Sequence, residues 1–210
     1  MIMSMCKILC VTNRHLSVGN FAERLAAIET AGAEGIVLRE KDLNTDAYRE
    51  LAQQVQKVCN SLILHTHTET ARELGIRRIH LTNESFVRLK PEDRRWFDWI
   101  GVSVHSADEA AQVRRAGASC VIAGHIFVTD CKRGVPPRGL CFLKEICRAA
   151  GTELPVYAIG GIGPENATLC MQAGAAGICL MSSLMRTENP GEYLGRLMQP
   201  AVDRFPRPLS

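Results

Sequence analysis

The sequence predicts an α/β protein built as one (β/α)8 TIM barrel, a single compact domain over residues 1–210. Three observations support this prediction. Eight short apolar runs alternate with longer amphipathic stretches, and successive runs begin about 15–35 residues apart, as βα units require. The tripeptide Ala-Gly-Ala occurs at 31–33, 116–118 and 173–175, each time just before an apolar run. Eight repeats of helix, glycine turn and buried strand predict a closed barrel.

The eight apolar runs are predicted strands. They are rich in Val, Ile, Leu and Cys and show little alternation with polar residues, which is typical of parallel strands buried on both faces. In chain order they cover residues 7–12, 35–39, 62–66, 78–82, 98–104, 119–124, 155–161 and 177–182.

Helix patterns lie between these strands. Residues 20–32 carry apolar side chains at helical spacing, and Gly32 marks the end of that helix. Ser106 followed three residues later by Glu109 is a capping box, which predicts a helix start at that point. A third helix is predicted after Gly163-Pro164.

The alternative architecture is an open, doubly wound sheet. No Gly-x-Gly-x-x-Gly pattern follows the first strand, which counts against it. No linker or low-complexity segment divides the chain, and we expect the tail from about residue 203 onwards to fray.

Composition excludes several classes of protein. The net charge of +3 is small and the basic residues are scattered, so neither nucleic acid nor a membrane surface is an expected partner. No apolar run is long enough to cross a membrane, and the first residues lack the pattern of a signal peptide. The nine cysteines form no Cys-x-x-Cys pair and mostly lie in apolar runs, which indicates reduced thiols and a cytoplasmic protein.

In a barrel, ligands bind at the carboxyl ends of the strands, and two of these ends predict a phosphate site. The seventh strand ends in Gly160-Gly161, where backbone N–H groups can approach an anion closely. The eighth ends in Met181-Ser182-Ser183, which opens a short helix. The structural alternative is that the two glycines only form a tight turn.

Charged and titratable residues follow two other strands. Arg39 and Lys41 follow the second strand and can bind a carboxylate or a phosphate, although a surface ion pair would explain them equally well. His125 follows the sixth strand and can carry a proton near neutral pH, or can simply bond a neighbouring loop. Lys132 and Arg133 lie in the same loop.

A metal site is not predicted. His65 and His67 would share one face of an extended strand, but no third ligand is evident. We read His15, His80 and His105 as structural, and Cys131 is a weak candidate for a reactive thiol.

Several of these segments, in the same order along the chain, resemble the thiamine phosphate synthase/TenI superfamily. The similarity covers nearly the whole chain and is strongest from 98 to 186. The segments that carry it are "VLREK", "WIGVSVHSADEA", "AGHIFVTDCKRG", "PVYAIGGIGPENA" and "GICLMSS".

The resemblance implies one of two activities. Synthases of this superfamily join a pyrimidine pyrophosphate to a thiazole phosphate with magnesium, held by Asp residues at positions where this chain has Thr66 and Ser85. Four positions match the pyrophosphate side of a synthase: Lys41, Ser103, Thr129 and Lys132. TenI-type proteins are thiazole tautomerases, and they share the His-hydrophobe-Phe-x-Thr-Asp-Cys-Lys run that begins here at His125.

We therefore expect a thiazole tautomerase, an isomerase that aromatises a carboxythiazole phosphate in thiamine biosynthesis by proton transfer through His125. It would need no cofactor and would bind a phosphorylated thiazole, with Arg39 near the substrate carboxylate; homodimer formation is left open. One alternative is a magnesium-dependent thiamine phosphate synthase, a transferase. The other is a non-catalytic regulatory protein that binds a phosphorylated ligand.

Overall fold

Eight parallel strands pair in chain order, and the last strand pairs with the first, so the sheet closes into a barrel. The computed structural model describes residues 6–198. The strands are β1 Lys7–Val11, β2 Gly35–Leu38, β3 Leu62–His65, β4 Arg78–Thr82, β5 Trp99–Val104, β6 Cys120–Gly124, β7 Val156–Ile159 and β8 Gly177–Leu180. The predicted (β/α)8 barrel is confirmed, and pairing of β1 with β8 rules out the open sheet.

Helices connect the strands and cover the outside of the barrel. They are α1 Phe21–Thr30, α2 Thr45–Gln56, α3 Thr68–Glu73, α4 Asn83–Arg88, α5 Pro91–Arg94, α6 Ala107–Arg115, α7 Gly139–Ala150, α8 Ala167–Gln172, α9 Ser182–Arg186 and α10 Pro190–Met198. Short 3-10 turns occur at Arg14–Leu16 and Asp130–Lys132. The expected fraying from about residue 203 concerns residues outside the described range.

Local sequence signals explain where these elements begin and end. The Ser106 hydroxyl accepts a hydrogen bond from the Glu109 N–H at 3.2 Å, which confirms the predicted start of α6. The Glu109 carboxylate accepts from the N–H of His105, the residue before the cap. Strand β7 is shorter than predicted because Gly160 and Gly161 take positive φ angles of 103° and 65° and turn the chain out of the sheet.

The core has an outer and an inner part. Apolar side chains of the helices pack against the outward faces of the strands, and Leu25, Ile28, Val113 and Leu143 are all fully buried there. Inside the barrel, a smaller apolar layer is formed by Leu9, Val11, Val37, Ile63, Cys120, Ile122, Tyr157 and Cys179.

The amino-terminal end of the barrel is closed by side chains from the beginnings of five strands. The Arg78 guanidinium lies 5.3 Å from the ring centroid of Trp99. The Tyr157 hydroxyl donates a hydrogen bond to the Glu34 carboxylate, which also pairs with Lys7 at 3.1 Å. We call Lys7, Glu34, Arg78, Trp99 and Tyr157 the basal cluster.

Burial keeps the inner cysteines inert. No disulfide bond forms among residues 6–198. Burial raises the pKa of the Cys10, Cys120 and Cys179 thiols far above their usual range, so these thiols stay protonated. Within the same residues, no helix has the length and apolar character needed to span a membrane.

Candidate functional site

A cavity of about 470 Å³ opens at the carboxyl ends of the strands, where a barrel binds its ligands. Apolar side chains line part of the cavity wall, and polar or basic side chains line much of the rest. The polar and basic side chains that line it are Arg39, His65, His80, Ser103, His105, His125, Thr129, Cys131, Lys132, Arg138 and Ser182. Among the residues that the structure describes, no Asp or Glu lines this cavity.

The cavity brings together most of the residues singled out in the sequence. Lys41 instead lines a neighbouring cavity of about 350 Å³, which shares His65 with the first. Ser183 lies next to the lining residue Ser182 but lines neither cavity. The predicted residues found in the main cavity are Arg39, Ser103, His125, Thr129, Lys132, Gly160, Gly161, Met181 and Ser182.

Three cations from two loops converge at this mouth. Arg39 is half-buried, and burial lowers the pKa of its guanidinium. Within residues 6–198, that guanidinium has no hydrogen-bond acceptor and no ion-pair partner. The pKa of Lys41 is lowered mainly by the nearby charge of Arg39, and also by burial and by the charge of Lys132. Since no Asp or Glu among the described residues lines the main cavity, cations held near each other at its mouth favour an anionic ligand.

Loop residues place the glycines after β7 against the loop after β6. The N–H of Phe127 donates to the Gly160 carbonyl at 3.0 Å. A Cβ on Gly161 would lie 2.3 Å from the Val128 carbonyl oxygen, so only glycine fits there. The Asn166 side chain donates to the Gly161 carbonyl at 2.9 Å. Close packing of two loops explains these glycines, and their contact with phosphate stays a prediction.

Neutral imidazoles form the floor of the cavity. His80 Nε2 lies 2.8 Å from Ser103 Oγ, and the rings of His65 and His80 stack with centroids 5.8 Å apart. Burial lowers the pKa of both imidazoles to about 3, and nearby positive charge adds to the effect. The floor is therefore uncharged at neutral pH, and the positive charge is confined to the rim.

His125 lies on the wall of the same cavity. Its Nε2 is 3.3 Å from the Val135 carbonyl oxygen, a contact within the loop that follows β6. His125 therefore lines the cavity and also contacts the backbone of its own loop, so both alternatives considered from the sequence stay open. The catalytic role of His125 stays a prediction.

Five polar residues that line the cavity were not among the predicted catalytic or binding residues: His65, His80, His105, Cys131 and Arg138. His80 was read as structural, although alternation along β4 from Arg78 through His80 to Thr82 places it on the inner face. Arg138 lies in a loop without a regular pattern, and its Nη1 donates to the His105 carbonyl at 2.5 Å. Only the folded loop brings Arg138 to the mouth.

The residues at the mouth do not fit a magnesium ion. Thr66 Oγ1 donates to its neighbouring His65 carbonyl at 2.6 Å, and Ser85 Oγ accepts from Thr82 Oγ1 at 2.9 Å. Glu84, the adjacent carboxylate, is exposed and pairs with Arg88. Within residues 6–198, no group of three or more His, Cys, Asp or Glu side chains is placed to hold a metal ion. Because Mg²⁺ prefers carboxylate oxygens, the side chains offer it no site.

The fold and this cavity define a (β/α)8-barrel protein with a cavity lined in part by basic side chains at the carboxyl ends of its strands. The model of the family described as thiamine monophosphate synthase matches residues 8–184, so the chain belongs to that family. Membership supports the prediction of an enzyme of thiamine biosynthesis.

Individual relatives agree with this assignment. The chain is 34% identical over 181 residues to a thiamine-phosphate synthase of Listeria monocytogenes, covering 81% of this chain and 84% of that protein. It is 32% identical over 197 residues to thiamine-phosphate synthase 2 of Streptococcus pneumoniae, covering 87% and 89%. A thiamine phosphate pyrophosphorylase structure from Pyrococcus furiosus shares the fold, with a TM-score of 0.75, 24% identity, and coverage of 91% and 93%.

These comparisons correct the expected activity. The prediction of a thiazole tautomerase, and with it the isomerase class, is wrong, because the relatives at about 30% identity are named thiamine-phosphate synthases. The error came from giving the run that begins at His125 more weight than the positions shared with synthases at Lys41, Ser103, Thr129 and Lys132.

Proposed function

We propose that this protein is a transferase that joins a pyrimidine pyrophosphate to a thiazole phosphate and releases pyrophosphate, forming thiamine phosphate. The names of its relatives support this reaction. The observation that carries the proposal is the cavity itself, which combines a cationic rim with a second polar region and has no carboxylate lining among residues 6–198.

Two parts of the mouth suit two phosphorylated substrates. Arg39 and Lys132 line the main cavity on the side that faces Lys41, and together they suit the more highly charged pyrophosphate. Gly161 and Ser182, at the ends of β7 and β8, suit the single phosphate of the thiazole. A reaction between two phosphorylated molecules uses both regions.

The cations also suit the chemistry. The reaction breaks the bond between the pyrimidine carbon and an oxygen of pyrophosphate, and forms a bond between that carbon and the thiazole. Negative charge therefore accumulates on the departing pyrophosphate. Donors and cations already held around that group stabilise the transition state more than the ground state. His65, His80 and Ser103 form an uncharged floor. The pyrimidine and thiazole rings of the substrates, which carry less charge than the phosphates, suit this part of the site.

The family resemblance implies magnesium, but the side chains at Thr66 and Ser85 do not provide for it. We therefore assign the neutralisation of pyrophosphate to Arg39, Lys41 and Lys132. No step of the proposal is assigned to a metal ion.

The direct test is a reaction with both substrates. Purified protein should form thiamine phosphate and pyrophosphate in equal amounts, measured by chromatography with and without added Mg²⁺ and with EDTA. Arg39→Met should lose most of this activity, whereas Arg49→Met, which changes an arginine of α2 paired with Asp46, should keep it. Binding of both substrates without any product would favour the non-catalytic phosphate-ligand protein instead.

A further inference from the structure

Glu40 stands between two cations of the proposed anion site, yet it is almost completely buried, with 3% of its surface exposed. A buried carboxylate is unfavourable unless its oxygens are fully bonded. Its oxygens accept hydrogen bonds from Thr12 Oγ1 at 2.6 Å, from the Arg14 N–H at 3.0 Å and from Arg14 Nη1 at 3.1 Å. All these donors belong to the segment that follows β1.

The Thr12 hydroxyl links the buried Glu40 carboxylate to the backbone of Arg39. The ionised Glu40 carboxylate can only accept, so the Thr12 hydroxyl proton points towards it. The oxygen of that hydroxyl is then free to accept the N–H of Arg39, which lies 3.0 Å away. Thr12 is fully buried, so no water competes for these two bonds.

The hydrogen bond from the Arg39 N–H to Thr12 takes the place of a backbone hydrogen bond between strands. Strand β2 ends at Leu38, so the backbone of Arg39 lies beyond the paired part of the sheet. The Thr12–Glu40 pair holds that backbone in place and leaves the Arg39 side chain directed into the main cavity.

An outer ion pair closes the connection between the two loops. Arg14 bonds the Asp42 carboxylate at 2.6 Å while it bonds Glu40. Arg14, together with His15, holds the pKa of Asp42 well below its usual range. Lys41 is therefore flanked on both sides by residues tied to the segment after β1.

We propose that Glu40 and Thr12 are positioning residues that fix Arg39 and Lys41 in the orientation needed to bind pyrophosphate. The inference rests on the proposed function, because it assumes that these cations bind the pyrophosphate group. Neither positioning residue lines the main cavity; they act through the backbone and the buried negative charge next to Arg39.

The test uses inorganic pyrophosphate and isothermal titration calorimetry on the whole protein. Thr12→Val keeps the shape of the side chain but removes the hydroxyl, and should weaken pyrophosphate binding at least about 10-fold, the effect of losing one charge-assisted hydrogen bond. Thr12→Ser keeps the hydroxyl and should restore binding. Glu40→Gln should weaken binding in the same way if Thr12→Val proves too unstable to purify.

A double-mutant cycle separates positioning from general stability. In an Arg39→Met background, Thr12→Val or Glu40→Gln should have much less effect on pyrophosphate binding, since the group they position is gone. An equal loss of binding in both backgrounds, or no loss in either, overturns the inference while leaving the proposed function intact. Failure of the parent protein to bind pyrophosphate would instead overturn the anion site and the inference together.

Discussion

His80 Nε2 lies 2.8 Å from the hydroxyl oxygen of Ser103, across the pair formed by β4 and β5. The contact sits under the cationic rim, where burial and the nearby charge of Arg39 lower the pKa of His80 and keep its imidazole neutral. The stability of the folded protein therefore depends on the buried imidazoles of His65 and His80 staying unprotonated.

The first prediction concerns acid. The pKa values of His65 and His80 fall from the ordinary 6.5 to about 3 in the folded protein. Between these values the unfolded chain binds protons that the folded chain does not, so stability is fully present above pH 6.5 and falls as the pH drops towards 3. Thermal denaturation at a series of pH values measures this loss.

A matched pair of variants assigns the effect. His80→Gln keeps a hydrogen bond to Ser103 but does not titrate, so its stability should fall less steeply with acid than that of the parent. His105→Gln, which replaces an exposed histidine of the same cavity, is the control for the change of residue type. Equal profiles for all three proteins would exclude His80 as a source of the acid sensitivity.

The second prediction concerns Gly161. Alanine there meets the Val128 carbonyl and must adopt a positive φ of 65°, so the loop after β6 should move away from the cavity. Pyrophosphate and thiazole phosphate should both bind at least about 10-fold more weakly, since loop displacement loses more than one contact. Gly117→Ala is the control, because its φ is 85° but a Cβ there meets nothing within 4 Å. Retained affinity in Gly161→Ala would show that this loop does not shape the site.

The third prediction restores carboxylates at the mouth. Thr66 has a φ of 66°, a conformation that Asp tolerates better than most residues, and Ser85 lies in the first turn of α4, where a negative charge is favourable. The double variant Thr66→Asp, Ser85→Asp should therefore fold. It should bind Mg²⁺ measurably by calorimetry, unlike the parent, and Thr45→Asp at the start of α2 serves as a control. Indistinguishable heats for all three proteins would contradict the role we give to these two positions.

The fourth prediction concerns Arg24, a buried residue of α1. Its guanidinium donates to the carbonyls of Val18, Leu184 and Thr187, so it holds the short helix α9 beside β8. Arg24→Met should lower stability by about 3 kcal/mol, because buried carbonyls lose their donors. Binding of thiazole phosphate should also weaken.

The control for Arg24 is Arg88→Ala. Arg88 has a side chain 77% exposed and pairs with Glu84 on the surface of α4. Surface pairs of this kind contribute less than about 1 kcal/mol. If Arg24→Met bound thiazole phosphate as well as Arg88→Ala does, α9 would have no part in that binding.

The fifth prediction tests His125 as a catalytic residue. His125→Gln retains a donor for the Val135 carbonyl but cannot exchange a proton near neutral pH. If proton transfer at this position assists the reaction, turnover should fall about 10²–10⁴-fold while substrate affinity and melting temperature stay near those of the parent. A folded variant with parental turnover would remove His125 from the mechanism, and His105 and Cys131 would be examined next.

The sequence predicted the barrel well because its signals are local. Each strand is a short apolar run, and the boundary signals at Ser106 and Gly32 depend only on neighbouring residues. Residues just beyond the strand ends were also found, since the barrel rule places them at one mouth. Arg39 and Lys132 are examples that the structure brings together.

The relations that sequence could not supply are those between distant loops. The bonds from Thr12 to Glu40 and from Arg24 to Leu184 join positions far apart in the chain, and no spacing rule predicts them. The activity was misjudged for a different reason. Similarity of one short run weighed more than a comparison of whole chains, and only the latter distinguishes related enzymes that share a fold.

The basal cluster has a consequence for how this chain can change over evolutionary time. Arg78, Trp99 and Tyr157 close one end of the barrel with bonds that involve no residue of the mouth. Substitutions at the opposite end, for example at Thr66 or Ser85, therefore leave that closure untouched. The basal cluster preserves the fold, whereas residues at the mouth can change without disturbing it. New specificities can therefore arise in a lineage without a new fold.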